Sequence, residues 1–172
     1  FSIFKSRSIW LVTNLFATIV AASVVGEFQD IIAQLSILAV LMPIVASMGG
    51  TTGQQTLAVV VRSLATKELN SRNALRMIGK EFMVGLCNGL LFAVMIGIAV
   101  RIWFPGQEMI SYIIALAMLC NLTVASLAGI LIPLTINRLK IDPAIASGVF
   151  LIACTDSGGY FIFLGLAKLL LF

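Results

Sequence analysis

The sequence predicts an all-α integral membrane protein with five spanning helices. Three observations carry that prediction. Of the 172 residues, 60% are hydrophobic and only 10% charged, and the mean hydropathy is +1.12. A soluble domain of this size has no way to hide so much apolar surface. Charges gather at or near the ends of apolar runs. The length holds about five segments of roughly 20 apolar residues, each enough to cross a bilayer core, plus short connections. All 172 residues read as one compact membrane domain.

The first predicted span runs from about Ser8 to Val25 and ends at Gly26-Glu27. The second starts after Asp30 and runs from Ile31 to Ala65, about 50 Å if fully helical. Pro43 and the stretch Gly49-Gly50-Thr51-Thr52-Gly53-Gln54-Gln55 interrupt it, so a bent or locally unwound helix is expected there. The third covers Met77 to Phe104, and the fourth Met109 to Asn137 with Pro133 near its end. The fifth runs from Pro143 to Phe172; a proline right after Asp142 suits a first helical turn.

Basic residues predict the orientation. With the N-terminus in the cytoplasm, the inner segments hold Lys5, Arg7, Arg62, Lys67, Arg72, Arg76, Lys80, Arg138 and Lys140. The outer side keeps only Arg101 and Lys168. Nine against two predicts N-in and C-out, as expected of a multi-pass plasma-membrane protein. Trp10, Trp103 and Tyr112 fall near span ends, as an aromatic belt requires.

The same charges argue against other functions. The cations mark topology, with no interleaved stacking aromatics, so membrane lipid and not nucleic acid is the expected partner. Cys87, Cys120 and Cys154 lie inside apolar segments, form no CxxC pair and have no histidine beside them. They read as small buried hydrophobes, and a zinc or haem site is not expected. An aspartyl protease would need a second acid at depth, so no enzyme is expected. The chain begins at Phe1 and not at Met, and is expected to be a fragment of a longer protein.

Chemistry concentrates on Asp156. It sits in the apolar stretch Ile145–Phe172, whereas Glu27, Asp30, Glu68, Glu81, Glu108 and Asp142 lie near the ends of apolar runs. A carboxylate at membrane depth costs roughly 3 kcal/mol on insertion scales, and such groups usually face a bundle interior or a wet path. Thr155 and Ser157 beside it can hold water, and Gly158 and Gly159 permit close backbone approach. The structural alternative is a polar clasp or a buried neutral acid.

The second candidate is Gly49–Gln55. A local break would free carbonyls to ligate or hydrate a cation, which is tolerated at depth only in a cavity or inside protein. Alternatively, Gly49 and Gly53 form a GxxxG packing surface. No Gly-Lys-Ser/Thr follows, so a phosphate loop is excluded. Asn14, Asn88 and Asn121 fit interhelical hydrogen bonds, and Gly85 and Gly89 favour close packing around Asn88. Carboxylate, carbonyl, amide and hydroxyl oxygens suit hard ions such as Mg²⁺, Ca²⁺ or Mn²⁺. One Asp per chain fits Mg²⁺ if two chains present Asp156 to a shared axis, because Mg²⁺ keeps several waters and needs one or two carboxylates. No internal repeat is visible, which favours a pore between two copies. A proton-coupled transporter using Asp156 as a protonatable carrier is the alternative.

Three stretches carry a family resemblance. Pro43-Ile-Val-Ala-Ser-Met-Gly-Gly-Thr-Thr-Gly-Gln-Gln-Thr-Leu-Ala-Val-Val-Val-Arg62 resembles the second span of the MgtE magnesium channels. Ala21-Ala-Ser-Val-Val-Gly-Glu-Phe28 resembles the end of their first span. Ile141–Gly148 followed by Thr155-Asp-Ser-Gly-Gly159 resembles their fifth. The resemblance implies a homodimer with a cation pore near the two-fold axis, lined mainly by the second and fifth spans. It implies that Asp156 matches the pore aspartate that recognises largely hydrated Mg²⁺. It also implies an upstream cytoplasmic Mg²⁺-sensing module, which this sequence does not contain. Contacts to the ion through backbone or water are expected at Gly49, Gly50, Ile152 and Ala153. Pore lining is expected from Thr51, Gln54, Gln55, Gly148, Thr155 and Ser157, with Asn88 and Asn121 further candidates. Thr51, Gln54 and Gly148 depart from the family pattern, where amide-bearing residues are common. That leaves Mg²⁺ to be ranked against Mn²⁺, Co²⁺ and Ca²⁺.

Overall fold

The computed structural model describes residues 2–69 and 73–171, apart from the side chains of residues 2, 3, 5–7 and 145. Its elements are α1 (Ser2–Gly26), α2 (Gln29–Gln34), α3 (Ile37–Ala65), α4 (Ala74–Trp103), α5 (Glu108–Arg138) and α6 (Pro143–Leu171). All are helical, because hydrocarbon offers the backbone no hydrogen-bond partners and a helix satisfies its own. Five of them are long and apolar enough to cross a membrane; α2, with six residues, is not. As the sequence predicts, α6 begins at Pro143, and Asp142 Oδ1 accepts the Ala144 N–H at 2.9 Å.

The bundle is built around α5, which packs on α3, α4 and α6. Helix α3 also packs on α6, and α1 lies against α6. Burial follows this order: 61% of the apolar window of α5 is buried inside the chain, against 6% for α1. The main core joins Leu38, Leu41 and Val45 of α3 to Ile110, Ile113 and Ile114 of α5 and to Phe163 and Leu164 of α6.

Small residues set how closely α5 is approached. A Cβ at Gly89 of α4 would lie 2.9 Å from the Leu119 carbonyl oxygen. A Cβ at Gly129 of α5 would lie 2.6 Å from the Gly53 carbonyl oxygen and 2.8 Å from Thr56 Cβ. Between apolar helices in lipid, close packing and interhelical hydrogen bonds replace the hydrophobic effect as the associating force. Ser111 Oγ supplies one such bond, donating to the Gly97 carbonyl at 2.6 Å.

The second span differs from the expectation. The break falls at Leu35–Ser36 and not at Gly49–Gln55. Leu35 leaves helical geometry at φ −132°, ψ 80°, and Phe28, Ile31 and Leu35 tuck into the main core. Burial of those side chains turns the chain there without any proline or glycine. Gly49–Gln55 stays helical because Gly49 and Gly53 are buried against α5, and Thr51 Oγ1 bonds back to the Ser47 carbonyl at 2.8 Å. Its carbonyls are therefore not freed by unwinding. The cysteines also differ: Cys87 and Cys154 are exposed on the chain's outer surface instead of buried.

Antiparallel α3–α4 and α4–α5 connections bring Arg62, Lys67, Arg76, Lys80, Arg138 and Lys140 to one end of the bundle. Arg101 and Lys168 lie towards the other end, where Arg101 pairs with Glu108 at 2.7 Å. Arg72 and the side chains of Lys5 and Arg7 lie outside the described residues. Replacing Gly129→Leu should push α3 off α5 and cost about 1–3 kcal/mol, the usual penalty of overpacking. A lower melting temperature for the detergent-solubilised protein is the expected reading, and an unchanged one would count against this contact.

Candidate ion site around Asp156

Asp156 lies thirteen residues into α6 from Pro143. Its depth is set by its neighbours. Thr155 Oγ1 lies 3.9 Å from where a Gly50 Cβ would be, and a Gly159 Cβ would lie 3.3 Å from Asn121 Oδ1. Asn121 in turn presses on Gly49, whose Cβ would meet Nδ2 at 2.5 Å. Asp156 therefore sits level with Gly49 and Gly50, in the middle of α3. It is partly exposed, and among the described residues it makes no hydrogen bond and no ion pair. Next to it, Ser157 Oγ is buried with no hydrogen-bond partner.

Asn121 is the centre of this region but not an open wall of it. It is 1% exposed, and its Nδ2 donates to the Val45 carbonyl at 2.7 Å. One amide thus ties α5 to α3 while filling the space left by a glycine on each of α3 and α6. An alanine at Gly49 would collide with it, and one at Gly159 would sit tightly against it.

The other predicted residues divide by face. Pro43, Ser47, Thr51, Gln54, Ala58 and Arg62 recur every three or four positions and form an exposed strip on α3, with Gln55 beside it. Val45, Gly49, Thr52, Gly53 and Thr56 form the buried strip. Contact of Gly50 with Thr155 places the outward strip alongside the Asp156 segment. Thr155 itself is 2% exposed and turns its hydroxyl to the Leu151 and Ile152 carbonyls at 3.0 and 3.2 Å. Ile152 and Ala153 are half-buried, and Gly148 is half-buried with open space beyond its Cα. Asn88 lies on α4, which packs on α5, and is not brought to Asp156; among the described residues it makes no hydrogen bond. Asn14 Oδ1, expected to bond between helices, is buried without a partner.

One functional-looking contact escapes the sequence reading. Glu81 lies well inside α4, and its Oε2 accepts a hydrogen bond from the buried Thr56 hydroxyl at 2.9 Å. The signal was its spacing. Glu81 precedes Gly85 and Gly89 by one and two turns, so it shares the strip of α4 that faces the bundle. The bond ties α4 to α3 across the edge of α5.

These features define a class: a multi-pass helical membrane protein with one unpaired mid-span carboxylate beside a polar helix face. The comparisons with known proteins point to one family. Residues 42–166 match the MgtE family model, described as a divalent cation transporter. The chain is 35% identical to the magnesium transporter MgtE of Bacillus subtilis over 92% of its length, and 36% identical to that of Enterococcus faecalis over 96%. It is 29% identical to that of Thermus thermophilus over 99%. The chain belongs to the MgtE divalent cation transporter family. It spans 35–37% of the length of these relatives.

Two outcomes test the geometry. Asn121→Ala should leave the space between Gly49 and Gly159 empty and remove the bond to Val45, costing about 1–3 kcal/mol. Thermal unfolding of the variant would reveal it. Single cysteines at Thr51, Gln54 and Ala58 should react with a small hydrophilic thiol reagent in a Cys-free background, while cysteines at Thr52 and Thr56 stay protected. Equal labelling of both strips would contradict the assignment of faces.

Proposed function

We propose that this chain is the ion-conducting domain of a magnesium transporter, in which two copies form a pore and Asp156 of each selects the ion. The observation that carries this is the unpaired Asp156 carboxylate at mid-span, beside the polar outward strip of α3. The family membership and the magnesium transporter names of the relatives support Mg²⁺ as the cargo.

Ligand arithmetic favours two copies. Among the described residues no group of three His, Cys, Asp or Glu could hold a metal. Within one chain Asp156 has no second carboxylate beside it to share an ion, only hydroxyls and amides around it. Two carboxylates on one axis repel each other when the site is empty and attract a divalent ion strongly. Mg²⁺ dehydrates reluctantly, so the carboxylates act on it mainly through its bound waters. Thr51, Gln54 and Gln55 supply further hydrogen-bonding groups for that hydration shell. The basic end of the bundle lies in the cytoplasm, giving N-in and C-out. An inside-negative potential of 100 mV then contributes about 4.6 kcal/mol per divalent ion to inward movement. An upstream cytoplasmic Mg²⁺-sensing module of the longer protein gates the pore.

Asp156→Ala in the full-length protein should abolish Mg²⁺ uptake, measured as rescue of a magnesium-starved host and as flux into vesicles. Dimer assembly should survive, because Asp156 makes no hydrogen bond or ion pair within the chain. Undiminished uptake in this variant would sink the proposal.

A further inference from the structure

Where α5 runs out at Arg138, the bundle carries two grooves, one on each side of that helix. One, of about 380 Å³, lies between α5 and α6 and is lined by Ile136, Ala146 and Phe150 among others. The other, of about 370 Å³, lies between α4 and α5; Ile78 and Leu134 line its apolar part and Thr135 and Arg138 its polar part. Leu131 and Thr135 belong to both, and their exposed side chains form the ridge between them. This strip of α5 is distinct from the one that meets α3, which carries Asn121, Ala125 and Gly129. The grooves therefore do not open on the α3–α5 contact.

Charge completes the feature. Arg138 is exposed and makes no ion pair among the described residues. Lys140 follows it, and Arg76 and Lys80, together with Glu68, line a cleft of about 270 Å³ at the same end of the bundle. A guanidinium fork matches phosphate oxygens in geometry and charge. Basic sites between membrane helices on the cytoplasmic side suit anionic head groups.

We propose that this saddle binds one anionic phospholipid, with its phosphate on Arg138 and its two acyl chains in the grooves flanking α5. Two features favour this occupant. A free phosphate would use Arg138 but leave the apolar lining of both grooves uncovered. A helix from a second copy, about 10 Å wide, would meet the Leu131–Thr135 ridge instead of a single trough. Two thin chains joined at a phosphate fit a ridge with a groove on either side. The site is separate from Asp156 and does not depend on the ion pathway.

Native mass spectrometry of the detergent-purified full-length protein tests it. Phosphatidylglycerol should be retained more than phosphatidylcholine. Arg138→Gln should weaken phosphatidylglycerol retention about fivefold, the factor expected for one basic residue at a membrane surface, and leave phosphatidylcholine unchanged. Arg138→Lys should keep most of the preference, and Thr135→Trp, which adds bulk on the ridge, should reduce retention of both lipids. Unchanged phosphatidylglycerol retention in Arg138→Gln would overturn the proposal. So would equal thermal stabilisation by inorganic phosphate and by phosphatidylglycerol. Efficient cross-linking of two copies through cysteines at Thr135 would overturn it too, placing a second chain in the grooves.

Discussion

The arrangement depends on one buried amide. Asn121 bonds to the Val45 carbonyl and occupies the space between Gly49 and Gly159. A polar side chain inside an apolar bundle is costly unless its hydrogen bonds are met, so it specifies one register and disfavours the others. With Asn121 in place, α3 and α6 have fixed heights against α5. That height puts Asp156 level with Gly49 and Gly50. The depth of the carboxylate is thus set by a residue that makes no hydrogen bond to it.

Around this point the helices divide into two layers of duty. In their middle turns the inner strips of α3 and α4 are small or hydroxylated and let backbones approach. Gly53 meets Gly129, and Gly89 meets Leu119, at distances no Cβ would tolerate. The outward strip of α3 is then free of packing duty, and it is there that Ser47, Thr51 and Gln54 appear. Polar side chains on an outward face of a membrane helix are unfavourable against hydrocarbon. A second copy and a hydrated path relieve that cost together, which is why the pore and the dimer stand as one proposal.

Much of the architecture was legible in the sequence. The five long apolar runs, the proline start of α6 and the gathering of cations at one end follow from hydrophobicity and local chemistry. The site was legible in part. Asp156 stood out because a charge in a long apolar run is rare and costly. Gly49–Gln55 stood out too, but its meaning depended on context. Glycines and polar residues in a span read equally as a broken helix or as a packing surface, and the partner helix decides between them. Here Asn121, Ala125 and Gly129 of α5 supply that partner, and the segment stays helical. In the sequence Glu81 reads as a span-end charge, because its partner, Thr56, lies 25 residues earlier on another helix.

The spans, the costly Asp156 in an apolar run and the family are readable from the chain alone, since each rests on local composition or on motif residues. The tertiary structure alone decided that the second span breaks at Leu35–Ser36, where burial of Phe28, Ile31 and Leu35 outweighs straight helix continuation. It alone decided that Asn121 is a clasp and that Thr51 and Gln54 face outward. These are questions of which side of a helix meets which neighbour. Helical periodicity limits the choices, but only contacts distant in sequence select among them.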